Sequence, residues 1–413
     1  MVIYRARVGD TVASISREHG VLPTLLCEQN GILPEAALVP GQALVIFPPT
    51  ETMQVREGDS LHSLAARKHI SPAQLLRQNP SLGDEGRLYP GTRLITSLEE
   101  RGHSPLSVLG IVNAGCDTTA LAPVLPYLTY LGVASARLLP SGRLCLPHDE
   151  GTVAAARAGG AVPLLILSAE GEGGIEGERA RTRELLTRPD GGGDLAEELL
   201  PHLTTRGYGG LLLDLPLPDA AMMPAYTALL ARLRRRLTHR TAVLACLPPA
   251  DSYAQYGALG RAAAGVLLTT YGIGTRYGSP MPEAPYDRLV ESIDAAAASV
   301  RPSKLFAGLS TRMLDFPAVG GGGRLLTPTE FDERASNGRL AYDPVARVPY
   351  LSYRENGGDR IAFYEDAESF SEKLLLCERR GLGGICLFPA EGVPQQLLSV
   401  LGGLFPIVRA HGT

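Results

Sequence analysis

The chain has 413 residues, 45% of them hydrophobic, with 39 Lys and Arg against 43 Asp and Glu and a formal net charge of −4. Such a length calls for two or three folded units, and this apolar share excludes disordered, collagen-like and coiled-coil chains. The acidic balance excludes a broad electrostatic grip on nucleic acid, no apolar run reaches the roughly 18 residues of a membrane span, and Met1 to Arg7 lack the apolar core of a signal peptide, so synthesis and retention on the cytoplasmic side are expected.

The N-terminal hundred residues hold an internal repeat. Arg7-Val8-Gly9-Asp10-Thr11-Val12, then Asn30, then Val39-Pro40-Gly41-Gln42-Ala43-Leu44 match Arg56-Glu57-Gly58-Asp59-Ser60-Leu61, Asn79 and Tyr89-Pro90-Gly91-Thr92-Arg93-Leu94. Each copy reads as a short strand, two small helices and a return strand. Gly-Asp makes the turn, Thr11 or Ser60 with that Asp caps the first helix, and Pro-Gly turns into the return strand. Ile15, Leu25 and Leu26 form one core, and Leu64, Leu75 and Leu76 its counterpart.

These copies resemble tandem LysM modules, spanning 2–49 and 53–97, a family that binds N-acetylglucosamine polymers such as peptidoglycan and chitin. The resemblance places ligand between the loop after the first strand and the loop after the second helix. Its carbohydrate-binding candidates are Gly9, Asp10, Thr11, Asn30 and Ile32, with Gly58, Asp59, Ser60, Asn79 and Leu82 in the second copy. The same polar residues are also what turns use as caps and braces, and both readings stay open. Two weak grooves on one short linker would raise the local concentration on a polymer.

After the linker Ser97 to Pro105, short apolar runs alternate with helical stretches. Strands are expected at Ser107–Ala114, Leu128–Ala134, Ala161–Leu167, Gly210–Asp214, Ala242–Cys246, Gly265–Thr270, Leu305–Leu309 and Gly384–Phe388, with helices such as Ala225–Leu237 and Ala367–Arg380 between them. Eight such runs predict an α/β fold, a (β/α)8 TIM barrel over 105–411 whose function sits at the C-terminal strand ends. Met313 to Tyr364 is too long for a connection and predicts a small insertion, about 313–364, built of strands with some helix.

Pro126-Tyr127-Leu128-Thr129-Tyr130-Leu131, Arg206-Gly207-Tyr208-Gly209-Gly210 with Asp214, Ala341-Tyr342-Asp343 and Gly381-Leu382-Gly383-Gly384-Ile385 resemble family 18 glycoside hydrolases, above all the LysM-bearing spore-germination and cortex-lytic type. The resemblance implies a fourth strand ending in Asp-x-Glu. The Glu protonates the glycosidic oxygen and the Asp orients the substrate's 2-acetamido group, whose carbonyl oxygen attacks the anomeric carbon, an exception to the paired-carboxylate scheme. No cofactor is implied.

Here the strand reads Leu211-Leu212-Leu213-Asp214-Leu215-Pro216. Asp214 is kept, but Pro216 stands at the acid position and cannot donate a proton; losing a positioned acid removes about 10²–10⁴ in rate. Leu212 replaces the usual Asn, Tyr271-Gly272 the usual Tyr-Asp, and Phe388 the usual Trp, in a chain with no Trp at all. The catalytic candidates are therefore Asp214 and Tyr271 as inherited pocket positions and Glu391 as an alternative acid; Glu170, Glu172 and Asp219 read as loop caps or solvated charges. The six Cys and eight His show no metal-ligand spacing.

The expectation is a spore-envelope protein, laid down from the mother cell, that binds peptidoglycan through its LysM pair and carries a degenerate barrel. One alternative is an active N-acetylglucosaminidase on cortex fragments with its acid relocated. Another is a coat-assembly scaffold whose barrel binds spore coat proteins.

Overall fold

The computed structural model describes the chain except residues 80–81, 83–86, 99–102, 147, 171, 173, 189–193, 218, 238–241, 249–255, 273–279 and 410–413. The first repeat forms β1 (Val2–Arg5), α1 (Val12–His19), α2 (Pro23–Asn30) and β2 (Ala43–Ile46), with β1 antiparallel to β2. The second forms β3 (Pro49–Gln54), α3 (Leu61–Arg67), α4 (Pro72–Gln78) and β4 (Arg93–Leu98), again an antiparallel pair. Gly9 and Gly58 both take the left-handed conformation that the tight turn requires.

Thr11 and Ser60 cap the first helix of each repeat as expected, but without the aspartates. Thr11 caps α1 reciprocally with Ser14, and Ser60 caps α3 with Ser63. The aspartates instead close the preceding turn: Asp10 accepts the Arg7 N–H at 2.7 Å and Asp59 the Arg56 N–H at 2.8 Å. Leu64 and Leu75 are fully buried in the second module, whereas Leu76 is only partly covered.

Eight parallel strands close into a barrel: β5 (Ser107–Asn113), β6 (Tyr130–Leu138), β8 (Val162–Ala169), β9 (Gly210–Asp214), β10 (Ala242–Leu247), β11 (Gly265–Leu268), β12 (Leu305–Ser310) and β18 (Gly384–Phe388), with β18 pairing back onto β5. All eight expected strands are present. The second runs four residues further than its apolar stretch suggested, because there it pairs with the short antiparallel β7 (Leu144–Cys145).

Side chains alternate along each strand. Leu109, Ile111, Leu164, Ile166, Leu212, Leu244 and Phe306 fill the barrel interior, while Val108, Val112, Leu131, Val133, Leu211 and Leu213 face the helices. The interior is a packed core rather than a pore. Surrounding helices include α5 (Thr118–Leu121), α6 (Glu150–Ala158), α7 (Ile175–Leu186), α8 (Asp194–Arg206), α9 (Met223–Arg236), α10 (Tyr256–Ala262), α11 (Tyr286–Ala297) and, following the insertion, α13 (Ala367–Arg379).

The insertion is a five-stranded antiparallel sheet in the order β14 (Arg324–Leu326), β13 (Met313–Pro317), β17 (Gly358–Phe363), β16 (Val348–Glu355), β15 (Arg339–Asp343), with α12 (Pro328–Ala335). Asp315, fully buried, is paired with Arg324 at 2.7 Å and Arg360 at 2.5 Å.

One helix had no counterpart in the sequence reading. After β18 the chain forms α14 (Gln395–Leu404), which packs against α2 and α4 as well as the barrel. Gln396 donates to Ala43 O at 2.7 Å, and the Phe47 ring lies against Gly403. On the second module, Arg77 donates to Pro126 O at 2.8 Å, and Tyr127 donates from its hydroxyl to Arg77 O at 3.2 Å. Burial lowers the Arg77 guanidinium to about 10 and raises the Tyr127 phenol to about 12. Arg5 of the first module pairs with Asp366 at 3.4 Å and with Glu368.

Candidate functional sites on the modules and at the barrel mouth

In the modules, Asn30 and Asn79 are buried and fully engaged. Asn30 donates to Leu26 O and Val45 O and accepts from the Val45 N–H, each at 2.8 Å. Asn79 repeats this with Leu75 O, Ile95 O and the Ile95 N–H at 2.7–2.8 Å. Both amides act as extra rungs on the return strand, tying the second helix to it. Asp10 accepts the Tyr4 hydroxyl as well as the Arg7 N–H, and the backbone donor holds its carboxyl below the usual carboxylate range; Asp59 is held down in the same way by the Arg56 N–H, with Arg67 beside it.

Gly9, Thr11, Gly58 and Ser60 are exposed, Ile32 is half-buried against the first core and Leu82 is buried in the second. The loops therefore present their backbone and outer side chains to solvent, while the asparagines hold them in shape.

At the barrel mouth, Asp214 ends β9 and keeps contact with solvent although barrel atoms surround it on its other sides. Loss of hydration raises its carboxyl, and the Cys246 thiol of the next strand donates to it. Tyr271 follows β11 and lies across β12 at Gly308, where an added Cβ would stand 2.5 Å from the tyrosine ring. It then stacks on Phe388, with centroids 4.4 Å apart and planes at 22°. The Arg312 guanidinium also lies over the Phe388 ring, 4.4 Å from its centroid. The position where the family resemblance expects a sugar-stacking Trp thus holds a smaller ring already engaged by two neighbours.

The other named carboxylates are dispersed. Glu391 is half-buried beside Cys116, in the loops after the eighth and first strands. Glu170 pairs with Arg137 at 2.7 Å, Asp219 with Arg183 at 3.2 Å, and Glu172 is exposed.

Two carboxylates that the sequence reading passed over stand closer to the mouth. Glu178, on the first turn of α7, is raised by burial and then by the charge of Asp214. Glu283, 5% exposed, accepts the Ser310 hydroxyl at the end of β12 at 2.7 Å, and its other oxygen has no partner. Glu178 lies on a helix, and Glu283 lies at the far end of the long connection after β11, just ahead of the next helix. The Pro-Glu-Ala-Pro run that encloses Glu283 was the available signal.

Among the described residues, no group of three or more His, Cys, Asp or Glu could hold a metal ion, and no helix is long and apolar enough to cross a membrane.

These features define a class by fold: two LysM modules docked on a (β/α)8 barrel similar in fold to family 18 chitinases. The LysM domain family matches residues 4–47 and 53–97. The chain is 25% identical over 409 residues to a cortical fragment-lytic enzyme of Bacillus anthracis, covering 93% of each. It is similar in its whole fold to the crystal structure of the Bacillus cereus spore cortex-lytic enzyme SleL, with a TM-score of 0.81 at 23% identity over 99% of this chain and 98% of the other. The barrel alone is similar to a chitinase from Chromobacterium violaceum, with a TM-score of 0.63 at 17% identity over 72% of this chain and 98% of that one.

Proposed function

We propose that this is a peptidoglycan-binding protein of the spore envelope whose barrel holds glycan without cleaving it by the family's usual route. The carrying observation is Pro216. Two residues beyond Asp214, it puts a side chain with no proton to give where the family's acid would stand. Asp214 remains at the end of β9, exposed at the barrel mouth, so a 2-acetamido group could still be received there. The LysM pair and the cortex-lytic names of the relatives support N-acetylglucosamine polymer as the ligand and the spore envelope as the location.

The test is mass spectrometry of muramic-lactam cortex fragments incubated with the native chain and with Pro216→Glu. No products from the native chain and measurable products from the variant are expected. Products from the native chain would overturn the reading.

A second reading, an active N-acetylglucosaminidase, is favoured by Glu178, a carboxyl raised beside Asp214, and by relatives named as enzymes. It requires native activity that Glu178→Gln abolishes and Glu391→Gln leaves in place; the reverse pattern would return the role to Glu391.

A further inference from the structure

The second module does not face solvent alone. Between it and the flank of the barrel lies a cleft of about 890 Å³, within the roughly 300–1,000 Å³ of ordinary ligand sites. One wall is the module, from Leu61 and His62 at the start of α3 to Ser71, Leu76 and Asn79 around α4; the other is the barrel, from Thr118 on α5 to Ala158 on α6. Leu61 is the first residue of the module's first helix, directly after the Ser60 cap, and Asn79 follows its second helix. The cleft therefore runs from the start of the module's first helix to the end of its second.

The first module is different in this respect. Gln395 of α14 sits on its second loop, where a Cβ added at Gly31 would stand 2.9 Å from the Gln395 Cβ. Gln396 holds the adjoining Asn30. The barrel thus caps one repeat at the place where it widens the other.

We propose that a peptidoglycan strand is bound in the cleft shared by the second module and the barrel flank, so that α5 and α6 are part of the glycan site; this rests on the peptidoglycan-binding reading above. The chemistry of the walls suits such an occupant. Sugar rings have apolar faces and hydroxylated edges, and Leu61, Leu76 and Ala158 offer apolar surface while His62, Ser71 and Thr118 offer hydrogen-bonding groups. Among the described lining residues there is no Asp or Glu, and the Arg409 guanidinium is present to meet the lactyl and peptide carboxylates of peptidoglycan.

The test is titration calorimetry of the full chain with soluble muramic-lactam cortex fragments and, separately, with the N-acetylglucosamine tetramer. Ala158→Trp fills the barrel wall of the cleft; Ala154→Trp, exposed on the same helix and outside the cleft, is the control. Ala158→Trp is expected to weaken cortex-fragment binding by about tenfold or more, some 1.4 kcal/mol, at an unchanged melting temperature, with Ala154→Trp like the native chain. Native-like binding by Ala158→Trp overturns the cleft and leaves the peptidoglycan reading standing. No binding by the native chain overturns both. Binding of the tetramer alone overturns peptidoglycan as the occupant.

Discussion

Gln396, on the last helix, donates its amide to Asn30 Oδ1 at 2.9 Å, the oxygen that also accepts the Val45 N–H inside the first module. A brace that belongs to the module is thereby completed from the barrel, whereas Asn79 makes the equivalent brace with its own module's backbone.

Asn30→Ala strips partners from one buried N–H and two carbonyls, and Asn79→Ala does the same in the second module. Each should cost about 2–4 kcal/mol, read in a denaturant titration, and any loss of glycan binding should track that destabilisation. Binding lost at native stability would instead make the asparagines direct contacts.

Gly308 is where Tyr271 crosses β12. Gly308→Ala should destabilise by about 1–3 kcal/mol through overpacking. The cost should shrink when Tyr271→Ala is added, because the two changes share one contact. Additive costs in the double-mutant cycle would show that the ring is not what the new methyl meets.

Crowding by barrel atoms strips part of the hydration of the Asp214 carboxyl and raises it in the folded chain, although the residue still reaches solvent. From the ordinary carboxylate range up to that raised value, the native state keeps a proton that the unfolded chain has released, so this group's contribution to stability falls as pH rises through the window. Asp214→Asn removes the titration. Its melting temperature should exceed the native one at pH 7, and the gap should close on acidification below the ordinary carboxylate range. A constant gap across pH would refute this account.

Lys373 is 1% exposed and is paired with Glu365, itself buried and linked to Ser369. Lys373→Met alone should cost about 3–5 kcal/mol by stranding the carboxylate, and much of this should return with Glu365→Leu. Equilibrium unfolding of the single and double variants decides it; a double variant as unstable as the single one would count against the pair.

The barrel was readable because its strands are separate apolar runs whose alternation serves two faces, as Leu212 inside and Leu213 outside show. The modules were readable because turns demand particular residues: Gly9, Gly58 and the two Pro-Gly pairs announce them. Roles set by distant parts of the chain were hidden. Nothing local says that Tyr271 rests over Gly308, that Glu178 on a helix feels Asp214, or that α14 is shared by barrel and modules. An Asn after a helix looks the same in sequence whether it faces a sugar or, as at Asn30, carries two helical and strand carbonyls.

The docking of both modules by Arg5, Gln396 and Arg77 changes what a tandem repeat means. Beads on a slack tether sample many separations and lose that freedom when they grip a polymer. Here the ordering is completed as the chain folds, so little of it remains to oppose capture. The two modules are held at one fixed spacing on the barrel, a rigid frame rather than a pair of independent beads.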